Sequence, residues 1–192
     1  MESFIGQVKA KYGTFNFCHF DEYLGLVIRE YGEFSEIELS VIQKFINEGD
    51  HVFDIGANIG LFTVPFAKKV GKKGKVYAFE PQPLINKLLK QNIELNNINN
   101  VKTYKKGLGL KKQKLKLDDI DYTTSGNFGG VTLTSLYDNS EFVKVNKKKH
   151  TNVEIIKLDD FLNIKECNFL KIDVELMEME VLLGGEFFLK KF

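Results

Sequence analysis

The stretch Val52-Phe53-Asp54-Ile55-Gly56-Ala57-Asn58-Ile59-Gly60 constrains the fold of this chain more than any other segment. A short apolar run closes on a carboxylate, a glycine-bearing turn follows, and a second apolar run closes on Phe79-Glu80-Pro81. Open α/β sheets bind ligands in the crevice beyond the carboxyl ends of their strands, so Asp54 and Glu80 are expected at one pocket. The glycine spacing narrows the ligand. A dinucleotide fingerprint needs G-x-G-x-x-G to bring backbone amides onto a pyrophosphate, and its second glycine is replaced here by Asn58. A turn presenting Asp54 and Asn58 suits a zwitterionic amino-acid group on a nucleoside, as in S-adenosylmethionine, better than a polyanion.

The flanking pattern is that of alternating strands and helices. Residues 8–31 read as short strands or a hairpin. Ser35 and Glu38 form a capping-box signature, with Leu39, Ile42, Phe45 and Ile46 on one helical face and Gly49 as the stop. Strand one is expected at His51–Ile55, followed by a helix over about 58–70 in which Pro65 kinks or displaces the start. Strand two is expected at 75–80, a helix opened by Pro83 and ended by the Asn96–Asn100 cluster follows, and strand three spans 101–105. Residues 107–157 then alternate apolar and polar positions (Leu115, Leu117; Val131, Leu133, Leu136; Val153, Ile155, Leu158), which predicts strands and hairpins inserted after strand three. A short helix at 158–162, a fourth central strand at 168–173 and a helix over 175–183 closed by Gly184-Gly185 complete the chain.

With 192 residues, one domain is expected. Within it, residues 1–49 hold N-terminal strands and a helix, 50–106 the cofactor-binding β-α-β-α-β, 107–157 the β-rich insert, and 158–192 the fourth strand and terminal helix. The net charge of +1 and the reliance on Lys, with Arg29 as the one arginine, argue against nucleic acid or anionic lipid as partner. Cys18 and Cys167 stand apart and the histidines show no ligand spacing, so neither a disulfide framework nor a metal site is expected. The Met1–Gly6 segment lacks a signal-peptide pattern and no apolar run approaches the ~18 residues of a membrane span. These observations together predict a cytoplasmic domain.

Several segments resemble the FkbM-type branch of class I S-adenosylmethionine-dependent methyltransferases. They are Asp54–Gly60, Phe79-Glu80-Pro81, Asn92–Asn96, Asn127-Phe128-Gly129-Gly130, Leu158-Asp159-Asp160 and Lys171-Ile172-Asp173-Val174-Glu175, in the family's order. The resemblance implies an α/β, Rossmann-like sheet with helices on both faces and a β-hairpin insert after strand three. It implies S-adenosylmethionine as cofactor and transfer of a methyl group to a hydroxyl of a small molecule, sugar or glycan. Two departures stand out. Leu176 occupies a position where the family usually has glycine, and its bulk is expected to narrow the substrate mouth. The further C-terminal strands of a class I sheet do not follow strand four, so a truncated copy is expected, or an edge covered by the N-terminal segment or by a partner such as a second copy.

On this basis Asp54 is expected beside the methionine end of the cofactor, directly or through water, with the amides of Gly56, Ala57, Asn58 and Gly60 approaching the same group. Glu80 would accept the ribose hydroxyls beside Pro81, and the adenine would lie near Lys106 and Gly107. Asp173 or Glu175 would act as base or hold the acceptor hydroxyl, with Lys171 paired to a carboxylate; the plainer alternative is that both acids cap the next helix. Asn127 is expected as a lid or acceptor contact, or as a simple turn residue. A nicotinamide-dependent oxidoreductase and a non-catalytic binding remnant are the competing functions.

Overall fold

The computed structural model describes residues 3–134 and 138–192; Leu136 of the predicted insert pattern lies outside them. The chain opens with an antiparallel hairpin, β1 (Ile5–Ala10) and β2 (Gly13–Cys18), followed by α1 (Leu24–Tyr31) and α2 (Glu36–Ile42). The α/β unit comprises β3 (His51–Ile55), α3 (Thr63–Val70), β4 (Lys75–Phe79), α4 (Pro83–Leu95) and β5 (Val101–Tyr104). The insert contributes β6 (Gly107–Leu108), β7 (Gln113–Ile120) and β8 (Val145–Ile156), and the chain closes with β9 (Phe169–Ile172), α5 (Glu178–Leu183) and α6 (Glu186–Lys191).

The central sheet is parallel in the order β5-β4-β3-β9, while the insert forms a separate sheet in the order β6-β8-β7. The parallel strands read as continuous apolar runs because both faces are covered. On one face an aromatic ladder crosses the sheet: Phe53 stacks on Tyr77 at 4.6 Å and Phe79 on Tyr104 at 4.6 Å, with Phe161 and Phe188 edge-on to Phe53. On the other face Val52 and Val76 pack against Phe66 and Val70 of α3. The hairpin is tied to the sheet through α4, where buried Asn92 accepts from the Asn16 amide and donates to the carbonyls of Asn16 and Ile59. That arrangement satisfies a buried amide with backbone partners and fixes the hairpin against the β3 turn.

Four local expectations are corrected. The helix after Ser35 stops at Ile42 rather than at Gly49, leaving Phe45 exposed; Ser35 sits in a left-handed conformation with no side-chain cap bond, so the capping box does not form. The helix after β3 begins at Thr63, because Asn58 and Gly60 take positive φ and the chain turns there before it coils. Pro65 thereby falls in the first turn, where its missing N–H is one of the donors a helix leaves unpaired anyway. The final helix begins at Glu178, and a second short helix, α6, follows Gly184-Gly185. Finally, α1 occupies part of the region expected as strands. Among the described residues β9 pairs with β3 alone, and α5 and α6 leave Met179, Leu183 and Phe187 exposed. No described helix is long and apolar enough to cross a membrane.

Candidate functional site

A cavity of about 300 Å³ opens at the carboxyl ends of β3, β4 and β9. Gly56, Ala57, Asn58, Glu80, Pro81, Lys106, Gly107, Lys171, Asp173 and Glu175 all line it, so residues spread over the sequence converge as expected. The convergence depends on Gly56. Its φ is +82°, and a Cβ there would stand 1.7 Å from the Asp173 carbonyl oxygen. Glycine therefore lets the ends of β3 and β9 close on one another, with the Asp173 amide donating to the Ile55 carbonyl at 2.9 Å.

Asp54 and Gly60 are not in the lining. Asp54 is fully buried behind the wall; its Oδ2 accepts from Thr63 Oγ1 at 2.6 Å and its Oδ1 lies 3.2 Å from Lys171 Nζ. Lys171, which lines the cavity, stands between Asp54 and that space. The expectation that the turn's amides approach the ligand is also corrected. The amides of Gly56 and Ala57 both donate to the Phe79 carbonyl, that of Asn58 to Glu80 Oε2, that of Ile59 to Asn58 Oδ1 and that of Gly60 to the Ala57 carbonyl. The turn spends these donors on the end of β4 and on itself.

Glu80 is almost wholly buried, accepting from the amides of Asn58 at 3.0 Å and Gln82 at 2.8 Å, one on each oxygen. Each oxygen retains capacity for a further hydrogen bond. Burial raises its carboxyl pKa to about 7, against the pull of those two amides. Lys171 is held at three points: Asp54, Asp173 Oδ2 at 3.5 Å and the Gly56 carbonyl at 3.1 Å. Burial disfavours its charge, but the two carboxylates outweigh this and its pKa stands above the ordinary lysine value. Burial, with Asp173 and Glu178 nearby, pushes the Glu175 carboxyl up. Neither Asp173 nor Glu175 caps a helix: α5 starts after Met177, and Glu175 and Leu176 adopt φ of 49° and 71°. Leu176 is exposed and outside the lining; Met177 is the residue that faces the cavity. Lys106 forms an ion pair with Glu154 at 2.7 Å.

The insert supplies one wall through Asn127, Gly129, Gly130, Val131 and Leu133. Asn127 lines the cavity and also closes its own turn, Oδ1 accepting from the Gly130 amide at 3.0 Å. Sequence reasoning missed Gln82, which clasps the insert to the core: its Nε2 donates to the Phe128 carbonyl, its Oε1 accepts from Tyr122 Oη, and its amide binds Glu80. Its place two residues after Glu80 was the available signal. Tyr23, Phe34 and Glu38 of the N-terminal region also line the cavity, and nothing in their local sequence marks them. Among the described residues no group of His, Cys, Asp or Glu is arranged to hold a metal.

A parallel sheet with a cavity at its carboxyl edge, a glycine turn after β3 and a carboxylate ending β4 make up a Rossmann-like α/β domain of the kind that binds a nucleoside-bearing cofactor. The chain belongs to the FkbM methyltransferase domain family, whose sequence model matches residues 54–192. It is 32% identical over 143 residues to Methyltransferase 1 of Beauveria bassiana, covering 69% of this chain and 57% of that protein. It is 30% identical over 191 residues to Methyltransferase sdnD of Sordaria araneosa, covering 80% and 71% respectively. The chain thus spans little more than half the length of the Beauveria protein. The crystal structure of M. jannaschii TYW2 in complex with AdoMet is similar over 54% of this chain and 43% of that chain, with 28% identity and a TM-score of 0.40.

Proposed function

We propose that this protein transfers a methyl group from S-adenosylmethionine to a hydroxyl of a small molecule, sugar or glycan. When bound, the cofactor supplies an electrophilic methyl group on a sulfonium. The donor set around the cavity fits such a ligand. Glu80 has a free accepting site on each oxygen for a pair of ribose hydroxyls, beside Pro81, with the adenine toward Lys106 and Gly107. Because the turn's amides are engaged, the charged Lys171 serves the carboxylate of the zwitterionic end, with Asp54 behind it holding the lysine ammonium in place.

The observation that carries the reading is the clustering of Asp173 and Glu175 with Lys171 at the mouth of the cavity that Glu80 lines. Alkylation of an alcohol requires removal of its proton as the new bond forms. Lys171 stays charged and cannot take that proton, whereas Glu175, its affinity for protons raised, is suited to accept it. Asp173, with its side chain 65% exposed, is placed to hold the acceptor. The even charge balance and single arginine favour a small hydroxylated acceptor over nucleic acid. Association of two copies through the unpaired edge of β9 belongs to the same reading.

The test is turnover of methyl-labelled S-adenosylmethionine with hydroxylated acceptors, alongside calorimetric binding of S-adenosylhomocysteine. Asp173→Asn is expected to spare binding and depress turnover; normal turnover makes Asp173 structural. Glu80→Ala is expected to weaken binding by ~1–3 kcal/mol, and unchanged affinity removes it from the ribose role.

A further inference from the structure

The cavity shares a wall with a second space. Leu133 of the insert and Met177 ahead of α5 line both the cofactor cavity and a larger groove of about 780 Å³. That groove runs between the insert sheet and α5, taking Gln113, Lys116 and Asp118 from β7, Lys147 from β8 and Glu180 from α5. The wall between the two spaces is pinned. Thr132 Oγ1 donates to the Glu175 carbonyl, and the Asn139 side chain both accepts from the Thr132 amide and donates to the Thr132 carbonyl. Leu133 is therefore carried on a fixed residue beside the carboxylates at the cavity mouth.

The chemistry of the groove narrows what it can hold. Lys147 and Asp138 lie 2.7 Å apart and neutralise one another. What remains is Lys116 with Asp118 and Glu180, a mixture of donors and acceptors with a slight negative excess. A phosphate or carboxylate ligand meets repulsion there, and a wholly apolar ligand covers Lys116, Asp118 and Glu180 and takes their water away without replacing its hydrogen bonds. A ring bearing many hydroxyls satisfies both carboxylates through O–H donors, while Leu115, Leu133 and Met177 offer apolar contact to its C–H face.

We propose, resting on the methyltransferase reading above, that this groove is the acceptor site, that it takes a neutral, hydroxyl-rich ring such as a saccharide, and that Leu133 and Met177 form the gate through which the reacting hydroxyl reaches the cofactor cavity. The methionines supply the probe. Met177 is buried at the gate and Met179, two residues on, is exposed and lines neither space. With methyl-labelled methionine, S-adenosylhomocysteine and then methyl glucoside are titrated while both methyl signals are followed by NMR. The expected result is that each ligand shifts Met177 saturably and leaves Met179 in place. Asp118→Ala combined with Glu180→Ala should weaken methyl glucoside by about tenfold or more and leave S-adenosylhomocysteine affinity unchanged. If S-adenosylhomocysteine binds and methyl glucoside fails to move Met177, or if glucuronate or hexanol moves it at lower concentration, the groove assignment is overturned alone. If S-adenosylhomocysteine itself does not bind, the methyltransferase reading falls and this inference falls with it.

Discussion

The turns that follow β3 and β9 face the same cavity and are built on different terms. After β3 the chain takes positive φ mainly at glycines, Gly56 (82°) and Gly60 (95°), with Asn58 (48°) between them. After β9 it takes positive φ at Glu175 (49°) and Leu176 (71°), where side chains crowd the backbone. The first turn is relaxed and uses its amides to bind the end of β4; the second holds strain of roughly 1–2 kcal/mol per residue, retained because its surroundings determine it. Strain of this kind gathers at functional sites, and here it lies at the carboxylates assigned to the acceptor side. The comparison separates a rigid cofactor side from a stressed acceptor side, and substitutions can break or sharpen it.

The largest effect is expected from Gly56→Ala. Its methyl group collides with the Asp173 carbonyl, so the two strand ends must part and stability falls by ~3 kcal/mol or more, read as the denaturation midpoint; a near-normal midpoint would show that the turns can separate freely. An effect of the same order is expected from Lys171→Met. It removes the cation that ties Asp54 to Asp173 and leaves a buried carboxylate unpaired, a cost of ~3–5 kcal/mol that Asp54→Asn in the same chain should partly relieve. If the double variant is no better than the single, the ion pair is not what joins the turns.

A pH series tests the cofactor side alone. Glu80 holds its proton more tightly in the folded chain than in the unfolded one, so its contribution to stability is complete below about 4.5 and is lost as pH rises through about 7. The stability difference between the parent chain and Glu80→Gln should therefore change across that window and be flat above it, measured by urea unfolding. The smallest effect is a gain: Leu176→Gly relieves the left-handed leucine and should stabilise the fold by ~0.5–1 kcal/mol. A loss there would mean that the turn is not strained.

How far the sequence disclosed this arrangement follows the same division. Strand β3, Pro83 at the start of α4 and the β-rich insert were legible, since apolar runs and proline act locally. The convergence of Lys171 with a carboxylate was legible from strand alternation. The burial of Asp54 and the engagement of the turn's amides were not, because both depend on how β4 packs against the turn. The early end of α2 was hidden for a related reason: Phe45 continues the helical apolar pattern yet finds no partner in the core. Leu176 shows the limit most clearly. Its bulk suggested an obstruction at the mouth, while the backbone turns it outward and its consequence is conformational.

The pairing of β9 with β3 joins Val52 to Phe169, whereas β3, β4 and β5 meet neighbours close in sequence. Long loops are closed late, because their entropy is lost before the contact returns anything. The hydrogen bond from the Gly56 amide to Phe79 can thus form well before the bond from the Asp173 amide to Ile55. The cofactor half of the site then exists for a time with its far wall open, and the docking of one four-residue strand completes it. Pulse-labelled amide exchange during refolding should protect Gly56 ahead of Asp173; simultaneous protection would mean that the two halves of the cavity assemble in a single step.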